Sequence, residues 1–217
     1  MKEESVVKNL VIIGTGDFAR ETIWIAERIN AVSPTWNIMG LIGQNNVGEM
    51  IDGYEVLGED EWLSKYPKEI YATCAIANGE KREKIWEKLL DNPNVQMTSL
   101  IDPDAIVGKN CTIGEGCIIC AGTVLTVNVR MGKSCIVNLN CTIGHDSILD
   151  NYCTVHPGTN ISGKVFVGER GYIGTGTKII QGVSIHSDTV LGAGTVVIKD
   201  IKESGTYIGC PANKVKG

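Results

Sequence analysis

The chain has 217 residues, enough for one large domain or two modest ones, with an ordinary globular balance of 43% hydrophobic and 21% charged residues. A formal net charge of −5 without any Lys/Arg-rich run excludes the basic footprint of a nucleic-acid-binding protein. Two Phe against 26 Gly point to a core of slim aliphatic layers rather than an aromatic one.

The first apolar run, Leu10 to Ile13, is too short for a signal-peptide core or a membrane span, so a cytoplasmic protein with no membrane partner is expected. Leu10–Ile13 reads instead as a buried strand. Gly14-Thr-Gly-Asp-Phe-Ala-Arg20 follows, then a helical stretch to about Asn30. Asn37–Ile42 and Glu69–Ile76 read as further strands, and Glu80–Leu90 as an amphipathic helix. Alternation of strand and helix predicts a small Rossmann-like parallel α/β sheet over residues 1–95.

The Gly14-x-Gly16 turn stands where a strand feeds a helix, so its backbone N–H groups can cradle phosphate. As a dinucleotide fingerprint it is incomplete. Gly43-Gln44 stands where an acidic residue would hold a ribose, and the segment is too short for two mononucleotide halves. A nucleotide or sugar-phosphate site and a purely structural turn both stay open.

From Ile101 to Val197 every sixth residue is aliphatic or Met, seventeen in a row without a slip. Two residues earlier runs a column of small or β-branched residues, from Ala105 to Thr195. Residues two apart on a strand share a face, so each sextet is a short strand with one large and one small inward side chain. Such a period predicts a left-handed parallel β-helix over residues 96–217, with three sextets per coil, between five and six coils, and residues 18 apart stacked. Glycine follows the aliphatic position at 108, 114, 132, 144, 168, 174 and 192, where a turn with positive φ is expected. Cys111, Cys117, Cys135, Cys141 and Cys153 fall in the small inward column and read as core packing. Cys117 and Cys120 form a lone CxxC with no second pair or nearby His, so no metal site is expected.

The count round the triangle places His145, His156 and His186 on three different edges, so they cannot converge on a metal within one chain. His145 precedes Asp146, and Gly163 lies 18 residues on. An imidazole beside a carboxylate suits a general base. A bare glycine one coil away could aim an N–H at a developing oxyanion. Spacing alone leaves His145 open as a solvent-facing turn histidine.

The chain resembles, nearly end to end, the bacterial sugar acetyltransferases that include sialic acid O-acetyltransferases and UDP-amino-sugar N-acetyltransferases. The resemblance is carried by Val11-Ile-Ile-Gly-Thr-Gly16, Ala75-Ile-Ala-Asn78 with Arg82, Gly144-His145-Asp146, Pro157-Gly158 to Gly163, Ile173-Gly174, Leu191-Gly-Ala-Gly194 and Gly209-Cys-Pro-Ala-Asn-Lys214. It implies that His145 is the general base, that Asp146 raises its basicity, and that the Gly163 N–H holds the thioester oxygen. It further implies a homotrimer with acetyl-CoA between adjacent prisms, near Thr154, Gly163, Gly174, Thr175 and Ser184. The acceptor, a nucleotide-linked amino sugar of surface-glycan biosynthesis, would bind through Gly14, Thr15, Gly16 and Asp17 with Gly43 and Gln44. The chain departs from the family where Asp17 replaces a frequent His, Gly43-Gln44 an acidic pair, and Thr154 a frequent coenzyme-contacting His. His156, two residues on, either helps the coenzyme or caps its turn. A sialic acid hydroxyl as acceptor, and a non-catalytic β-helix scaffold, are the alternatives.

Overall fold

A computed structural model describes residues 7–44 and 46–215. The N-terminal half is a six-stranded sheet of β1 (Lys8–Ile13), β2 (Trp36–Ile42), β3 (Met50–Ile51), β4 (Tyr54–Gly58), β5 (Ile70–Cys74) and β6 (Val95–Met97), in the order β3-β4-β2-β1-β5-β6. All neighbours are parallel except the β3-β4 hairpin. That hairpin turns on Asp52-Gly53, both at positive φ, as a two-residue primed turn requires. Helix α1 (Asp17–Val32) connects β1 to β2, α2 (Asp60–Ser64) follows β4, and α3 (Gly79–Leu89) follows β5. Residue 95 lies inside β6, which pairs with β5, so the α/β sheet extends to Met97 and the second domain begins at Leu100.

That second domain is the expected β-helix. Its first face runs from Leu100–Ile101 in steps of 18 residues to Thr189–Leu191, and ends in Gly205–Ile208 and the antiparallel Asn213–Lys214. The second face carries six strands, from Ile106–Val107 to Val196–Val197, and the third carries five, from Thr112–Ile113 to Ser184–Ile185. Five coils are therefore complete. The inward aliphatic column from Ile119 to Val197 is buried in one continuous core, with Cys117, Cys135, Cys141 and Cys153 between its members.

The glycines after the aliphatic positions serve a different purpose from the one expected. None of the seven has positive φ; that conformation falls two residues later, at every sixth position from Asn110 to Gly194. A Cβ at Gly144 would lie 2.5 Å from the Gly163 nitrogen, and one at Gly168 would lie 2.5 Å from the Ser187 nitrogen. These glycines let successive coils stack closely at the prism edge. The left-handed positions are filled mainly by Gly and Asn, with Asp146 among them, because short polar side chains tolerate that region.

The α/β domain covers the first face of the prism. Outward Leu100, Ile118 and Ile136 are buried against Leu10, Ile23, Ala26 and Leu41, so the two domains share one apolar cluster. Arg28 straps one flank by pairing with Asp102 and Asp104. Arg82, on α3, straps the other. Its guanidinium is 1% exposed and donates to the carbonyls of Ile76, Ala77, Ser134, Tyr152 and Cys153 and to the Thr154 hydroxyl.

The thiols give a direct check of this packing. Six of the eight cysteines are buried, Cys111 is half-buried beside the open first coil, and Cys210 is exposed. Burial pushes the Cys141 thiol up to about 11, which further suppresses the reactive thiolate. A thiol reagent should label Cys210 rapidly, Cys111 more slowly and the remaining six only on unfolding. Fast labelling of Cys135 or Cys153 in the native protein, read by peptide mass, would contradict the packing.

Candidate functional site

His145 stands on the edge between the second and third faces, exposed, in the turn that follows the strand Thr142–Ile143. Its Nδ1 lies 2.8 Å from Oδ2 of Asp146. The left-handed backbone at Asp146, φ 60°, turns this carboxylate alongside the preceding ring. A carboxylate can only accept, so the neutral form of the ring carries its proton on Nδ1 and its lone pair on Nε2. Hydrogen bonds from His145 and from Asn128 hold the Asp146 carboxyl below its usual range, so it is an anion at neutral pH.

Gly163 lies against the imidazole one coil on. A methyl group added there would overlap Nε2, Cε1 and Cδ2 of His145, so only glycine leaves room for the ring in this position. The Gly163 N–H has no partner among the described residues. The edge thus joins an imidazole with a free lone pair, a fixed carboxylate, and an unused backbone donor.

A second concave feature opens at the C-terminal ends of β1, β2 and β5, where the strand order reverses beside β1, the usual ligand position in open α/β sheets. This crevice of about 640 Å³ is lined by Gly14, Thr15, Gly16 and Asp17, by Gly43 and Gln44, and by Lys81 and Lys84 of α3. All six residues expected to bind the acceptor lie in it. Gly16 is the N-cap of α1 and has no side chain to satisfy the helix end. The N–H groups of Thr15, Gly16 and Asp17 have no partner among the described residues, and all three residues line the crevice, the setting of an anion cradle. Asp17 opposes an anion there, whereas Lys81, which has no ion-pair partner among the described residues, supplies a compensating charge. Sequence reading missed both lysines, although their three-residue spacing after the Asn78 N-cap puts them on one helix face.

The residues expected near a coenzyme do not converge within one chain. Thr154 is 2% exposed, accepts from Arg82 and donates to the Ala77 carbonyl, so its hydroxyl is engaged in the domain strap. Gly174, Thr175 and His156 lie on the edge between the first and second faces, and Ser184 on the third face. The His156 ring packs against Tyr172, with centroids 4.5 Å apart, and burial followed by the Arg82 charge lowers its pKa. His186 bonds the carbonyl of Ser187 in its own turn. The three histidines occupy three edges as expected, and no metal-binding cluster occurs among the described residues. No described helix is long and apolar enough to cross a membrane.

Comparison with known proteins agrees with this architecture. Residues 9–89 match the PglD N-terminal domain and residues 92–126 the bacterial transferase hexapeptide of six repeats. The chain is 29% identical over 184 residues to the GDP-perosamine N-acetyltransferase of Escherichia coli O157:H7, covering 84% of this chain and 82% of that protein. Among solved structures, the acetyltransferase domain of PglB from Neisseria gonorrhoeae FA1090 superposes with a TM-score of 0.88 at 28% identity, covering 96% of this chain and all of that one. PerB from Caulobacter crescentus, in complex with CoA and GDP-perosamine, gives a TM-score of 0.86 at 29% identity, covering 97% and 99% of the two chains. A PglD-type α/β domain followed by hexapeptide coils, alike over nearly the whole length, makes this chain a member of the hexapeptide sugar acetyltransferase family.

Proposed function

We propose that the protein is an acetyl-CoA-dependent N-acetyltransferase acting on a nucleotide-linked amino sugar that serves surface-glycan synthesis. The observation that carries this reading is the His145–Asp146 pair seated over the bare Cα of Gly163. The relatives supply the substrate classes, since the PerB complex holds CoA and GDP-perosamine. The α/β crevice cradles the nucleotide diphosphate on the α1 N-terminus and Lys81, which leaves the sugar to reach outward.

In this mechanism Nε2 of His145 takes the proton of the acceptor amine as its nitrogen attacks the thioester carbonyl. Asp146 steadies the imidazolium that forms. The Gly163 N–H donates a hydrogen bond to the carbonyl oxygen on which negative charge develops. As the C–S bond breaks, the imidazolium returns its proton to the leaving CoA sulfur, and no acyl-enzyme is formed. Gly163→Ala pushes the ring off this geometry. Misplacement by about 1 Å can cost roughly a hundredfold in rate, and a loss of that order is expected in kcat with unchanged thermal stability.

One chain cannot complete this site. The α/β domain sits on the first face of the prism, whereas His145 stands on the opposite edge. A neighbouring prism must bring its His145 edge to this crevice, and straight prism walls form a concave coenzyme groove only when packed side by side. Cyclic threefold closure gives three equal grooves, so a homotrimer is the expected state. Light scattering should report about three times the 23.4 kDa chain mass.

The activity is tested by thiol release from acetyl-CoA against UDP-, GDP- and dTDP-linked amino sugars and free sialic acid. CoA release with a nucleotide amino sugar, and an N-acetylated product by mass, is the expected result. Release with sialic acid alone would move the assignment to O-acetylation. A fully inert folded protein would indicate a non-catalytic scaffold.

A further inference from the structure

Asp146 is held from two sides. While Oδ2 faces His145, Oδ1 accepts a 2.9 Å hydrogen bond from the side-chain amide of Asn128, 18 residues earlier on the same edge. The Asn128 Oδ1 in turn accepts from the amide of Asn110 at 3.2 Å, another 18 residues back. All three residues adopt left-handed backbone, with φ of 58°, 57° and 60°, so their side chains stack in register. The direction of this ladder is dictated by its charged end. A carboxylate only accepts, so Asn128 must turn its NH2 group toward Asp146, which leaves its oxygen for Asn110.

We propose that Asn128 is a positioning residue for acetyl transfer, an amide buttress, backed by Asn110, that commits one Asp146 oxygen to itself and so keeps the other on His145. The proposal rests on the reading of His145 as general base.

The alternative is that Asn stands at these places only because it tolerates positive φ. On the other two edges the same positions hold Ser134, Tyr152 and Arg170, or Gly122, Asn140 and Gly158, and no amide ladder forms there among the described residues. The ladder is confined to the edge that bears the acid. An exposed carboxylate without the buttress would exchange rotamers and leave Nδ1 without a fixed acceptor. Other charges facing Asp146 are Lys164, next along the same edge, and Arg130, which lines the same surface depression with Asn110, Thr112 and Ile148.

Asn128→Gly and Asn128→Asp test the idea, because both residues are compatible with the left-handed turn. Asn128→Gly should lower kcat about tenfold, with both KM values within about twofold, since orientation and not binding is lost. Asn128→Asp places a second anion beside Asp146 and stabilises protonated His145, so the acid limb of the kcat/KM profile should move up by about half a pH unit or more. A purely structural role predicts altered melting with wild-type kcat and an unmoved profile, and that outcome overturns the proposal. His145→Ala run in parallel separates the two levels. If it is inactive while the Asn128 variants behave as wild type, only the buttress falls. If it retains turnover, the general-base reading falls and the buttress with it.

Discussion

His145→Ala should reduce acetyl transfer by roughly a hundredfold or more while the protein stays folded, since a positioned general base contributes about that much. The side chain is exposed and its one hydrogen bond among the described residues is to an exposed neighbour, so truncation leaves no buried group there unpaired. Steady-state thiol release should show the loss in kcat and in kcat/KM alike, the pattern of an interaction made in the transition state. Asp146→Asn should cost less, because in the proposed mechanism Asp146 orients the ring and transfers no proton. His186→Ala, on another edge and, among the described residues, hydrogen-bonded through its ring to the Ser187 carbonyl of its own turn, is the control and should stay close to wild type.

The second large effect concerns stability. Arg82 has its charge buried without a carboxylate partner among the described residues, and burial lowers its pKa. Five carbonyls and one hydroxyl replace the water it lost, and these acceptors come from both domains. Arg82→Ala removes every one of these donors and leaves the Ile76, Ser134 and Tyr152 carbonyls with no other donor among the described residues, while Ala77 keeps the Thr154 hydroxyl and Cys153 the Ile136 N–H, so a loss of about 3–5 kcal/mol is expected. For a chain of this size each kcal/mol is worth about 2–4 °C in Tm, which puts the shift near 10 °C. Arg82→Lys should rescue only part of it, since an ammonium has three donors and no planar fork. Calorimetry that finds either variant within about 2 °C of wild type would contradict the strap.

Much of this molecule was legible because the hexapeptide period leaves little freedom. Once Ile101 to Val197 is seen to repeat, the three faces, the stacking of His145 on Gly163, and the separation of the three histidines follow from counting. What counting could not supply was the origin of each glycine. Gly144 and Gly168 are demanded by contact between coils and not by φ, a distinction visible only when a Cβ is placed on the backbone. The β3-β4 hairpin was missed although Asp52-Gly53 announces it, since strands of two and five residues carry too little alternation. Family likeness placed Thr154 near a coenzyme, and only the structure shows that Arg82, 72 residues away in sequence, bonds its hydroxyl. Asn128 was overlooked for a related reason: its partner lies 18 residues away and its role appears only when the left-handed turns are stacked.

The central claim is that a working site joins the His145 edge of one chain to the α/β crevice of another, and subunit mixing tests it most directly. Gly16→Trp fills the crevice without backbone strain, because φ at Gly16 is −83° and open space surrounds its Cβ position. His145→Ala removes the proposed base and leaves the crevice open. Co-expressing the two variants under separate tags, and purifying assemblies that carry both, should restore roughly a third of the wild-type sites, since every mixed trimer has one boundary of three where an intact crevice meets an intact His145 edge. Hybrids no more active than either parent variant would show that base and crevice must come from the same chain, and would contradict the account.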